Sequence, residues 1–252
     1  MQYLRNFATI ATGRYDLAVS PSSHKRAALG CVIAAGLGLM AVIPSASALA
    51  PGQDGVRVEI ALSGISDKAQ AVVVDPNGDI VLAGFSGGNT RLARVMPNGA
   101  MDVLGFGQSG GIANYDLSVS RGDSLRALVR MSDGHYVGCG VYASAVTGDD
   151  FVVARFDRAG GLDTTFNTGA GYVVTPFSAS SLVDQCNAVA VQADGMVVSA
   201  GFSIVSGHHH VALTRHTALG VPDALFGNGG KLDIDASGVG SELALASDMR
   251  FA

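Results

Sequence analysis

The sequence predicts an all-β chain, an array of four-stranded antiparallel units of about sixty residues each. Three observations predict it. Glycine is abundant, at 34 of 252 residues, while hydrophobic residues make up 48% and charged residues only 15%. A pattern of apolar runs and glycine turns recurs at spacings of 56 and then 61 residues, at Gly78, Gly134 and Gly195. Within each recurrence, four strand-like runs are separated by turn residues. The same composition excludes other classes. The chain is too apolar and too weakly charged to be intrinsically disordered. Three cysteines are too few for a disulfide-dense scaffold. A net charge of -5 argues against a polybasic nucleic-acid binder.

The elements follow in chain order. Residues 27–43 form an apolar run preceded by Lys25 and Arg26, broken by Pro44 and followed by Ser45-Ala46-Ser47-Ala48. A basic flank, an apolar core and a small-x-small site describe a secretory signal peptide, here residues 1–48 with an extended basic region ahead of the core. A membrane anchor is the alternative, but the run falls just short of the roughly 18 to 20 residues that span a bilayer. Cleavage after Ala48 removes Arg5, Arg14, Lys25, Arg26 and Asp16, which leaves the remaining chain more acidic. An acidic surface argues against nucleic acid or anionic lipid as partner. With the leader gone, no membrane span is expected.

The stretch before the apolar run carries Tyr3-Leu4-Arg5-Asn6, Thr12-Gly13-Arg14-Tyr15 and Leu17-Ala18-Val19-Ser20. It resembles the extended signal peptide region of Gram-negative autotransporters and two-partner exoproteins. It departs from them in lacking Trp and in having Pro21 where an acidic residue is usual. The resemblance implies an exported protein, extracellular or at the cell surface, with the periplasm as the alternative location.

Three units occupy residues 49–252, at about 65–118, 121–178 and 182–237, with a partial unit at 241–252. Each opens with a first strand (AVVV, ALVR or AVAV) and turns at Asn77-Gly78, Asp133-Gly134 or Asp194-Gly195, where glycine supplies the positive φ of a tight hairpin. A second strand follows (DIVLAG, HYVGCG or MVVSAG), placing Gly84, Gly140 and Gly201 in one column. The third strand carries Arg94, Arg155 and Arg215. A second turn leads to Asp102, Asp163 and Asp223, then Phe106, Phe166 and Phe226, then a Gly-rich turn and a closing strand. Four short antiparallel strands at this period suggest one propeller blade per repeat. Strands apolar on both faces suit sheets stacked between others.

The middle unit carries Asp150-Phe151, Ala154-Arg155-Phe156, Gly161-Leu162-Asp163 and Phe166. With its neighbours it resembles the delta-60 repeat of bacterial secreted proteins, over residues 65–252. The resemblance implies a β-propeller-like fold and brings no catalytic residue or ligand with it. Residues 56–63 match the fourth-strand position, and 241–252 resemble the start of another first strand. The chain therefore reads as an incomplete array, a fragment of a longer one. A small four-blade ring is the alternative.

The candidate chemistry is sparse. His208-His209-His210, with His216 nearby, reads as an exposed loop between second and third strands, because consecutive strand residues point to opposite sides and cannot all ligate one metal. No metal site and no cofactor is expected. Cys139 and Cys186 read as small buried residues, and geometry must decide whether they pair. Arg94, Arg155 and Arg215 read as partners of Asp102, Asp163 and Asp223 within each blade. Asp67, Asp123 and Asp184 read as turn caps ahead of each first strand, with a cation-binding ring at a channel mouth as the alternative. Asp75-Pro76-Asn77-Gly78-Asp79 reads as a hairpin turn, since it lacks the length and terminal Glu of a calcium loop. No nucleophile elbow, zinc-protease, C-x-x-C or phosphate-loop pattern occurs. No catalytic residues are assigned. No histidine recurs in all three units, His135 lying in the middle one and the 208–216 group in the third. The expected function is a non-catalytic binding or display module of a surface or secreted protein, with an unknown ligand or surface partner. The alternative is a propeller-type lyase or glycoside-active enzyme with its site at the channel mouth.

Overall fold

The computed structural model describes residues 67–118, 122–177 and 183–235, together with short strand segments at Ile10–Ala11, Arg14–Val19, Leu29–Gly30, Ser45–Ala46 and Val56–Ile60. Apart from those segments, the leader at 1–48 lies outside the described residues, as does the partial unit at 241–252. Among the described residues, no helix is long and apolar enough to cross a membrane.

Three four-stranded antiparallel sheets follow one another along the chain, each with its strands in sequential order. The first blade comprises Asp67–Val74, Ile80–Ser86, Asn89–Val95 and Ile112–Tyr115. The middle blade comprises Asp123–Arg130, Tyr136–Ser144, Gly148–Phe156 and Tyr172–Thr175. The third comprises Asp184–Val191, Val197–Val205, His208–His216 and Lys231–Asp235.

Each blade bends at the same place. The register of its first strand slips by one residue, between Ala69 and Ala71, Leu125 and Ala127, and Cys186 and Ala188. A β-bulge kinks and twists its strand. Opposite each bulge stands one of the column glycines, Gly84, Gly140 or Gly201. A Cβ there would lie 1.9 Å from the carbonyl oxygen of Lys68, Ser124 or Gln185 respectively. The repeated glycine is thus the space into which the bulged strand collapses.

Apolar side chains fill the gaps between blades. Val81, Leu92 and Phe106 of the first blade pack with Leu125, Tyr136, Ala154 and Phe156 of the middle one. Val137, Phe151, Val153 and Phe166 of the middle blade pack with Val189, Val197 and Ala212 of the third. Burying such side chains contributes about 1.5–3 kcal/mol each, so a blade gains most of its stability from its neighbours. Cys139 and Cys186 lie fully buried in the second gap and form a disulfide, with Cα atoms 5.8 Å apart. It ties the second strand of the middle blade to the first strand of the third.

Candidate binding face

The two ends of the blades differ in kind. One end carries the hairpin between first and second strands and the turn between third and fourth. Here the blades repeat one arrangement. The Nε of Arg94, Arg155 and Arg215 donates to Asp102, Asp163 and Asp223 at 2.9, 2.7 and 2.6 Å. Each guanidinium lies over the Phe of its own blade, 4.8 Å from the centroid of Phe106, 5.0 Å from Phe166 and 4.8 Å from Phe226. The within-blade Arg–Asp pairing expected from the sequence is present in all three. Burial alone would raise the carboxyl pKa values of Asp102 and Asp163. Hydrogen bonds from the arginines and from nearby hydroxyl and backbone donors outweigh it and hold both below the ordinary range.

Sequence reasoning missed where the arginines reach next. Arg94 Nη1 donates across the gap to the Arg158 carbonyl at 2.8 Å, and Arg155 Nη1 donates to the Ala218 carbonyl. Beside them, the Gly107 amide donates to Ala159 O at 2.7 Å and the Asn167 amide to Leu219 O at 2.8 Å. The ring of Phe106 sits on Gly160, and that of Phe166 on Gly220. This end of the molecule is a row of latches. His135 belongs to it, with Nε2 3.5 Å from Asp163.

The opposite end carries the hairpins between second and third strands and the connections from one blade to the next. Here the blades differ. The first turns through Gly87-Gly88, both at positive φ. The third turns through Ser206-Gly207, also both at positive φ, as a two-residue hairpin with the strand twist requires. The middle blade uses the longer Ala145-Val146-Thr147, which leaves Val146 90% exposed.

His208–His210 therefore begin the third strand, because the tight Ser206-Gly207 turn lets pairing run out to Val205 opposite His208. This corrects the loop expected there. His208 and His209 are exposed. His209 packs on the Phe202 ring at 5.3 Å, while His210 Nδ1 lies 3.0 Å from Asp233 Oδ1. His216 ends that strand in the aromatic core position that Phe156 holds in the middle blade. It is buried beside Thr175 and Thr214, and burial pushes its pKa down to about 4.

Asp67, Asp123 and Asp184 are the first residues of their strands, and all three are buried. Asp67 accepts from Ser86 Oγ. Asp123 accepts from the Thr90 amide of the preceding blade at 2.9 Å and from Ser118, and burial raises its pKa. Asp184 accepts from the Phe177 amide at 2.9 Å. They anchor the connections on which this face is built. Among the described residues, no group of three or more His, Cys, Asp or Glu side chains is placed to hold a metal ion. Asp75 serves a blade contact, with its carboxylate 3.0 Å from Arg130 Nε and accepting from Tyr136 OH.

Stacked four-stranded antiparallel blades with this repeat define a β-propeller-like repeat protein. The model of a family described as "Domain of unknown function (DUF5122) beta-propeller" matches residues 132–166, from the first hairpin turn of the middle blade through Phe166. Comparison with curated proteins finds no significant match.

Proposed function

We propose that the chain is an exported, non-catalytic binding or display module, and that its ligand meets the face formed by the hairpins at 87–88, 145–147 and 206–209. One observation carries this reading. The within-blade Arg–Asp pair and its Phe recur in every blade at one end, while the opposite end varies in turn length and exposed side chains. A constant frame with unlike loops at one end suits recognition. Two features support export: the leader-like residues 1–48, and a buried disulfide, which forms and persists in an oxidising compartment.

Both halves of the reading are testable. Expression of the full chain in a Gram-negative host, followed by fractionation and thiol alkylation, should find it outside the cytoplasm with Cys139 and Cys186 blocked. Cytoplasmic retention with free thiols would refute export. A variant with the three hairpins replaced by Asn-Gly turns should lose binding on an array of bacterial and host glycans and surface proteins that capture the parent. Equal capture of both would refute the choice of face.

A further inference from the structure

The first strands form an inner wall. Each is an edge of its sheet, and Asp67–Val74, Asp123–Arg130 and Asp184–Val191 contact one another in turn, so the blades fan out from them. The one-residue slip in each strand leaves a residue with no partner on the second strand: Gln70, Arg126 and Asn187. All three are polar and half-buried. A bulge re-aims the side chain of its extra residue. Leu125 packs in the gap toward the first blade and Ala127 in the gap toward the third, which leaves Arg126 between them at the edge of the sheet.

Arg126 is a cation without a partner. Its Nε is buried and donates no hydrogen bond, and no carboxylate among the described residues stands within ion-pair distance of it. Arg91, Arg94, Arg130, Arg155, Arg158 and Arg215 each hold an acceptor. Burial pushes the Arg126 pKa down, and the charge of Asp149, which acts the other way, does not make up the difference. A desolvated cation left unpaired costs stability. On the neighbouring strand Gln70 Oε1 is likewise buried with no donor. Asn187, on the other side, has its Oδ1 taken by Gln185 Nε2 at 2.8 Å. One unmet cation and one unmet acceptor thus stand at matching positions of adjacent strands. Each lies three residues in from the strand end that meets the variable face, about 10 Å at roughly 3.3 Å per residue.

We propose that Arg126 is the anion-binding group of a ligand site on this inner wall, and that the ligand is a hydroxylated carboxylate, a sugar acid. The guanidinium donates to the carboxylate, which its fork of N–H groups fits. Gln70 Oε1 accepts from a hydroxyl of the same ligand. A single cation, with Asp149 near enough to act on it, suits a singly charged ligand over a phosphate dianion. Because Arg14–Val19 also contacts Asp67–Val74, the site centres on the middle blade. The inference rests on the reading of the chain as a binding module and adds the class of ligand.

The test is calorimetric titration of the full chain with galacturonate, glucuronate and N-acetylneuraminate, each beside its neutral methyl ester, and with inorganic phosphate. At least one acid should bind about tenfold tighter than its ester and than phosphate, as a charge-assisted hydrogen bond provides. Arg126→Gln installs the residue that the first blade carries there. It should keep its circular dichroism, melt no lower than the parent, and bind acid and ester alike. Arg126→Asn, the residue of the third blade, is the second variant should the first fail to fold. Loss of folding in both would make Arg126 a structural residue and overturn the site. So would equal binding of acid and ester by the parent, no binding of any of the three acids, phosphate binding as tight as the acid, or a preference that survives Arg126→Gln. The binding-module reading fails separately, if an array of glycans and surface proteins captures nothing of the parent. Array capture alongside any of the overturning outcomes leaves that reading standing and removes only the sugar-acid site.

Discussion

The ring of Phe166 closes over Gly220 of the next blade, where a Cβ would stand 2.9 Å from the ring carbons. The same Phe lies under its own Arg155, whose guanidinium reaches the carbonyl two residues before that glycine. One aromatic ring, one cation and one glycine turn therefore set the spacing between blades.

Breaking that latch should cost stability and make it depend on acid. The side chains of Arg155 and Asp163 are 10% and 9% exposed. Removing one partner strands the other in a poorly solvated site, at a cost of about 3 kcal/mol for Arg155→Ala. The carboxyl groups of Asp102, Asp163 and Asp223 titrate below their ordinary range. Their stabilisation is complete above the unfolded pKa of about 4 and is lost as pH falls through the folded values. Urea unfolding at pH 7, 4 and 3 should show the parent losing stability below pH 4, and Arg155→Ala losing less there.

A second acid dependence belongs to His216. Its folded pKa, about 4, lies below the 6.5 of the unfolded chain. The unfolded state therefore binds the proton more readily, and stability is present above pH 6.5 and falls as pH drops toward 4. The loss approaches about 3 kcal/mol at about 1.4 kcal/mol per pKa unit. His216→Phe, which installs the aromatic found at Phe156, should flatten midpoint urea concentration between pH 6.5 and 4. An unchanged slope would mean His216 is hydrated in the folded protein.

The bulge glycines should be intolerant in a way other glycines are not. Gly140→Ala puts a methyl group 1.9 Å from the Ser124 carbonyl oxygen, so the strand must move. A loss of about 3 kcal/mol or more is expected, as for severe overpacking. Gly87→Ala faces open space at φ 60° and should cost only the left-handed penalty of about 1–2 kcal/mol. Thermal melts of the two variants side by side test the contrast.

Replacing Cys139 and Cys186 by Ser together should lower stability by about 4 kcal/mol, from the loop of 47 residues that the bond closes. Chemical denaturation of the variant, and of the parent with reductant, should agree. A variant as stable as the oxidised parent would show that the cross-link does not constrain the unfolded chain.

The blade period and its strands were legible in the sequence because glycine turns and apolar runs recur in register. Arg155 and Asp163 were legible as a pair because they bracket one turn in every unit. The reach of Arg155 to Ala218 was not, since a backbone carbonyl leaves no residue-type trace. Gly140 stood out as a repeated position, but its reason lies in the Leu125–Ala127 slip, which no residue letter records. The Cys139–Cys186 pairing stayed open because sequence separation does not fix a Cα distance. His208 was misread because the Ser206-Gly207 turn is short enough to extend the strand by its whole exposed end. The hairpin end was visible only as variation between units, and variation names a place without naming a ligand.

The disulfide also shapes how the molecule carries load. Tension between the two ends of the chain passes from Cys139 to Cys186 through sulfur, and the residues between them feel none. That bypassed stretch includes the third and fourth strands of the middle blade. Its 47 residues could otherwise pay out about 160 Å of extended chain, at roughly 3.4 Å each. Under such tension the first blade, and the third blade beyond Cys186, can be drawn out, while the third and fourth strands of the middle blade bear no load along the chain.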